Sequence, residues 1–266
     1  MDGRKIGVFD SGVGGLTVVK EVLKNLPHEE IIYFGDTARV PYGTKSRRTV
    51  LKYSVQIMNF LTAQDIKAAI IACGTISSNC RDELRRMYGV PMADVFTAGA
   101  EACVSATVNG SVGVIGTERT IKSGAFERRI NELDPRVSVC SKACPLFVPL
   151  AEEGWFDNAA TQLIADIYLR EFAERGIDTL LLGCTHYPLL ADCIKRATGG
   201  VNIIDPSEAA ALAMKELLTE TDSLREPAEE PENIFYISDD TDKFDLISRR
   251  VLKKEFPAIK IDIEDY

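Results

Sequence analysis

The residues best able to do chemistry in this chain are two cysteines, each followed closely by a threonine at the end of a short apolar run. Ile70-Ile71-Ala72-Cys73-Gly74-Thr75 is matched, 111 positions further on, by Leu181-Leu182-Gly183-Cys184-Thr185-His186. Such a run reads as a parallel strand covered on both faces, and ligands in open α/β sheets bind beyond the carboxyl ends of the strands. Two thiols delivered in this way point at one bound molecule from opposite sides. A free thiol, with a pKa of about 8.5, is mostly protonated at neutral pH, so a cysteine used as a base needs a helix terminus, a donor or a proton acceptor beside it. His186, two residues after Cys184, is placed to be such a relay. Cys80, Cys103, Cys140 and Cys193 read instead as small buried apolar residues.

Three loops accompany the thiols. Asp10-Ser11-Gly12-Val13-Gly14-Gly15 follows a strand pattern and opens a helix, where glycines permit a tight turn and unpaired N–H groups suit an anion. It lacks the Gly-Lys-Ser/Thr ending of a phosphate loop and the dinucleotide spacing, which argues against a nucleotide. Asp10 is unexpected beside an anion; it caps the helix, accepts a bond from an ammonium group, or orients a nearby base. In Gly35-Asp36-Thr37-Ala38-Arg39-Val40-Pro41-Tyr42-Gly43, the residues after Pro41 can turn consecutive N–H groups toward a carboxylate. Gly116-Thr117-Glu118-Arg119-Thr120 holds the equivalent place in the second half and adds two hydroxyl donors.

Positioning these loops takes alternating strands and helices. Strand patterns fall at residues 5–9, 31–34, 68–72, 111–115, 137–139, 179–182, 202–204, 233–237 and 259–261. Amphipathic helical spacing covers residues 16–26, 46–61, 77–88, 158–173 and 207–218. The alternation predicts parallel sheets with helices on both faces. Ile6-Gly7-Val8-Phe9-Asp10-Ser11-Gly12 is echoed by Val112-Gly113-Val114-Ile115-Gly116-Thr117, 106 positions on, close to the offset of the cysteine strands. The expected fold is therefore α/β, with two pseudo-symmetric domains, each a mainly parallel sheet flanked by helices, and the active site in the cleft between them. Residues 1–97 with 208–266 form the first expected domain, and residues 98–207 the second. Residues 219–232, acidic and carrying Pro227 and Pro231, read as a surface connection within one domain.

Composition narrows the function. The chain has 266 residues, 45% of them hydrophobic, and a formal charge of -9, which disfavours nucleic acid and anionic membrane as partners. No run approaches the roughly 18 apolar residues of a membrane helix. Arg4 and Lys5 lead straight into a strand with no signal-peptide pattern, so a cytoplasmic location is expected. Seven cysteines without a CxxC pair suggest free thiols in a reducing compartment. With only His28 and His186, and no acidic or cysteine cluster at ligand spacing, no metal site is expected.

The chain resembles the glutamate racemases of the aspartate/glutamate racemase family. The likeness rests on Phe9-Asp10-Ser11-Gly12-Val13-Gly14-Gly15-Leu16-Thr17-Val18, the loop from Gly35 to Gly43, Gly183-Cys184-Thr185-His186-Tyr187-Pro188-Leu189 and Asp205-Pro206-Ser207. It runs from about Lys5 to about Ala210 and thins toward the carboxyl end. The resemblance implies cofactor-independent interconversion of L- and D-glutamate, with D-glutamate going to peptidoglycan and so to cell-wall biogenesis and cell shape. It further implies a homodimer whose only other partner is the small-molecule substrate. Under the family pattern Cys73 takes the proton from D-glutamate and Cys184 from L-glutamate; Asp10 assists Cys73, while His186 and Glu152 assist Cys184. Substrate contacts carried over are Asp10, Ser11, Pro41, Tyr42, Gly43, Gly74, Thr75, Thr117, Thr185 and His186. One residue departs: family members commonly have Asn where this chain has Gly74, which removes an amide donor and adds backbone freedom. Ile76-Ser77-Ser78 departs as well, from the usual small residues. A racemase of aspartate or another acidic amino acid is the nearest alternative, and a non-catalytic amino-acid-binding protein, which Gly74 alone encourages, is the other.

Overall fold

In the computed structural model, which describes residues 2–227, 231–239 and 242–266, the apolar runs become buried parallel strands. The first half runs β1 (Ile6–Asp10), α1 (Leu16–Asn25), β2 (Ile31–Gly35), α2 (Arg47–Ala63), β3 (Ala68–Ile71), α3 (Gly74–Met87) and β4 (Met92–Asp94). After α4 (Val95–Ala106) the second half follows: β5 (Ser111–Gly116), α5 (Glu118–Lys122), α6 (Ala125–Leu133), β6 (Ser138–Ala143), α7 (Phe147–Glu152), α8 (Ala159–Glu174), β7 (Thr179–Leu182), α9 (Ala191–Ala197) and β8 (Asn202–Ile204). The chain then returns through α10 (Pro206–Glu220) to β9 (Ile234–Ile237), α11 (Asp242–Leu252) and β10 (Ala258–Lys260).

One sheet has the order β10-β9-β2-β1-β3-β4 and the other β6-β5-β7-β8. All pairings are parallel. The order β2-β1-β3-β4 recurs as β6-β5-β7-β8, so β3 and β7, which carry the thiols at their ends, stand in the same place beside the central strands β1 and β5. This shared topology is why the sequence echoes itself at a nearly constant offset.

Alternate side chains of each strand feed opposite layers. From β1, Ile6 and Val8 pack with Val19 and Val22 of α1 and Met214 of α10, while Phe9 packs with Ile57 and Leu61 of α2 and Leu84 of α3. From β7, Leu182 joins Leu169 and Phe172 of α8, and Leu181 joins Phe126 and Ile130 of α6. Each such side chain, fully buried, contributes roughly 1.5–3 kcal/mol. Helix α4 serves both halves, with Val95 and Ala98 in a first-half layer and Phe96, Ala100 and Cys103 in a second-half layer. The domain boundaries expected at 97 and 207 thus fall inside α4 and in the first turn of α10.

Several elements differ from expectation. Helix α3 starts at Gly74 rather than residue 77, because its apolar spacing begins only at Ile76 and hides the first turn. Strand β6 runs to Ala143 as a half-buried edge strand without the apolar run that would reveal it. Strand β4, three residues after Pro91, is too short to show periodicity. In the expected 219–232 connection, residues 228–230 lie outside the described residues. Ahead of them the chain is tied down: the Ser223 carbonyl accepts from Lys67 Nζ at 2.7 Å and the Arg225 N–H donates to Glu29 Oε1 at 2.8 Å.

Candidate active site

Cys73 caps α3. Its thiol donates to Ser11 Oγ at 3.4 Å. Burial, and then the nearby carboxylate of Asp10, push this thiol up to about 12, against the pull of the Ser11 bond and the Ile76 amide at the helix start. Asp10, at the end of β1, is fully buried and sends its oxygens elsewhere. Oδ1 accepts from the Gly12 amide at 2.9 Å and Oδ2 from Thr185 Oγ1 of the other half at 3.1 Å. Burial raises its carboxyl, opposed by the charge of His186 and the bonds from Gly15, Thr185 and Gly12. Its influence on Cys73 is thus electrostatic.

Cys184 has a different neighbourhood. Its sulfur lies 3.8 Å from His186 Nδ1, and His186 Nε2 lies 3.2 Å from Glu152 Oε1 at the end of α7. Burial disfavours the imidazolium, but the bonds to Cys184 and Glu152 outweigh it and lift His186 well above its ordinary range. Burial likewise opposes ionisation of Glu152, yet the bond from His186 holds its carboxyl below the usual value, aided by Lys243. The chain Cys184–His186–Glu152 can therefore carry a proton at the sulfur and stabilise the charge left behind.

The walls between the thiols come from both halves. Thr75 Oγ1 meets Thr117 Oγ1 at 3.0 Å, and Thr117 meets Thr120 Oγ1 at 3.0 Å. Directly against Thr117 lies the loop in which Pro41, after a cis bond, leads into Tyr42 and Gly43. A cavity of about 20 Å³ is lined by Cys73, Cys184, Ser11, Pro41, Tyr42, Gly43, Gly74, Thr75, Thr117, Thr185 and His186, joined by Val40 and Val148. Asp10 and Glu152 stand behind this wall. The two valines are ordinary apolar residues in sequence and carried no signal.

A further support was also illegible in sequence. Asp36, fully buried, accepts from Tyr42 Oη, from Arg39 Nε at 2.7 Å and from Ser238 Oγ, beyond β9, at 2.7 Å. It fixes the loop that presents Tyr42 and Gly43. Arg39 is itself anchored on Gln56 and Glu264, at 2.6 and 2.9 Å. The seven cysteines are all free, and Cys140, expected to be buried, is only half-buried on edge strand β6. Among the described residues no group of three or more His, Cys, Asp or Glu could hold a metal ion. No helix among them is long and apolar enough to cross a membrane.

Two facing parallel α/β halves, with a thiol at the same strand end of each, define a class of α/β proteins that hold a small ligand at the seam between sheets. The family model described as Asp/Glu/Hydantoin racemase matches residues 6–214, and the chain belongs to that family. It is 47% identical over 253 residues to the glutamate racemase of Geobacter metallireducens, covering 95% of this chain and 94% of that protein. Glutamate racemase from Francisella tularensis, solved in complex with D-glutamate, superposes with a TM-score of 0.94 at 41% identity over the whole of both chains. An isoform from Bacillus anthracis gives a TM-score of 0.95 at 35% identity over 98% of each.

Proposed function

We propose that this protein interconverts L- and D-glutamate by a two-thiol acid–base mechanism that requires no cofactor. The observation that carries this reading is the pair of thiols on the walls of one cavity, at equivalent strand ends, with Ser11 beside one sulfur and the His186–Glu152 pair beside the other. Support for glutamate as substrate comes from full-length relatives named glutamate racemase and from the D-glutamate complex of the Francisella tularensis protein. In one direction the Cys73 thiolate removes the α-proton of D-glutamate. The electron pair left on the α-carbon spreads into the carboxylate, and the Cys184 thiol delivers a proton to the opposite face. In the reverse direction the sulfurs exchange roles: the Cys184 thiolate, stabilised by His186 and through it by Glu152, removes the α-proton of L-glutamate, and the Cys73 thiol delivers a proton to the opposite face. Hydroxyls of Ser11, Thr75, Thr117 and Thr185 and the amides of Tyr42 and Gly43 hold the carboxylates. The division at residues 97 and 207, a homodimer, a cytoplasmic location and supply of D-glutamate to peptidoglycan belong to the same proposal.

Incubating the purified protein with each enantiomer in deuterium oxide tests it, by optical rotation and by loss of the α-proton signal. Interconversion and exchange are expected with glutamate; exchange with neither enantiomer contradicts the proposal, and faster turnover of L-aspartate reassigns the substrate. Cys73→Ser and Cys184→Ser are each expected to lose about 10²–10⁴-fold in kcat, the usual worth of a positioned acid or base. Full activity in either variant removes the two-thiol mechanism.

A further inference from the structure

Three glycines of the first half stand where the second half leans against it. A β-carbon on Gly14 would lie 2.6 Å from His186 Nδ1 and Thr185 Oγ1, and one on Gly43 2.5 Å from Thr117 Cβ. One on Gly74 would lie 2.1 Å from the Gly183 carbonyl oxygen and 3.6 Å from Cys184 Cα. The first two meet side chains. The third meets main chain, immediately before the second thiol, and is relieved only by a shift of main chain, at the start of α3 or after β7. Gly74 is the first residue of α3 and has no positive φ, so its missing side chain provides space, not the backbone freedom expected from sequence. The space that a side chain would fill here is taken by the other half's backbone.

We propose that Gly74 is a positioning residue for the two-thiol reaction, an inference that rests on the function proposed above. By carrying no side chain, it lets the Gly183–Cys184 peptide seat against the first turn of α3, and this contact sets how closely the two thiols approach. The cavity that both thiols line is narrow, so a shift of either wall changes their separation directly. Gly74 sets that separation. A methyl group there must push the 2.1 Å contact out to an ordinary separation of 3.4 Å or more. A displacement of about 1 Å at a reacting pair costs about 10²-fold in rate.

The test compares wild type, Gly74→Ala and Gly74→Asn, with Gly89→Ala as control because a β-carbon there meets nothing within 4 Å. Steady-state kinetics in both directions, thermal melting, and maleimide labelling of Cys73 and Cys184 followed by peptide mapping are measured for each. Both Gly74 variants are expected to melt as wild type does. Their kcat should fall about 10²-fold in both directions with a smaller change in KM, and both thiols should label faster. The labelling readout needs no turnover, which separates two failures: an inactive wild type overturns the proposed function, whereas equal labelling rates in wild type and Gly74→Ala overturn the role of Gly74. So do kcat values within twofold of wild type, or an Ala variant that no longer folds, since the relief proposed here is a parting of the halves and not a disrupted core.

Discussion

Burial and the carboxylate of Asp10 push the Cys73 thiol up to about 12, while Cys184 keeps a buried imidazole 3.8 Å away that is itself held by Glu152. Like residues at like strand ends therefore have unlike support. Burial favours the thiol form of Cys73, so under the proposed mechanism its use as a base is expected to grow as pH rises. Replacing Asp10 by Asn removes the neighbouring negative charge that opposes the thiolate. The pH at which Cys73 alkylates half-maximally, and the rise of kcat/KM for D-glutamate with pH, are both expected to move to lower pH in Asp10→Asn. An unshifted alkylation profile would show that Asp10 acts on Cys73 through no charge. Sequence singled out Cys73 and Cys184, which line one cavity, because the apolar runs before them are local. It did not show that Ser11, and not Asp10, touches the sulfur, since that contact joins positions 62 residues apart.

At the scale of elements, the loop after β2 matters most. Its Tyr42 and Gly43 line the cavity, and its conformation hangs on Asp36, which gathers Tyr42, Arg39 and Ser238. Asp36→Asn keeps the size of the side chain but gives up charge-assisted bonds in a dry site, where leaving a partner unsatisfied costs about 1–3 kcal/mol. KM for both enantiomers is expected to rise about tenfold, equivalent to 1.4 kcal/mol, with a smaller change in kcat. Steady-state kinetics check this, and a fall in kcat at unchanged KM would place the loop in the chemical step instead. The loop itself was readable from its turn-forming residues. Its anchor was not, because Ser238 lies 202 residues from Asp36 and Glu264 lies 225 from Arg39. The first turn of α3 was hidden for another reason: Gly74 and Thr75 are poor helix formers, and only Thr75's place in the cleft and Gly74's fit against Gly183 explain them there.

Across the whole molecule, buried charge ties distant segments together. Lys67 and Glu29 pair at 2.7 Å with side chains 1% and 2% exposed, and Lys67 also donates to the carbonyls of Asp2 and Ser223. Lys67→Met would strand the Glu29 carboxylate and is expected to lower the unfolding free energy by about 3–5 kcal/mol in denaturant titration. Stability should also follow pH through His186 and Glu152. The raised His186 adds stability that is complete below pH 6.5 and lost as pH climbs through its elevated value. The lowered Glu152 adds stability present above pH 4.5 and lost as pH falls through its depressed value. The denaturation-midpoint gap between wild type and Glu152→Gln is therefore expected to be widest between pH 4.5 and 6.5; a gap independent of pH would contradict the pairing. By itself the sequence determined the parallel α/β class, the twofold repeat and the two thiols, because periodicity, strand endings and loop residues are local and survive without coordinates. Only the tertiary structure decided which groups attend each sulfur, how Asp36 holds its loop, and why residue 74 has no side chain, because those contacts join residues far apart in the chain and depend on how two separate sheets come to face each other.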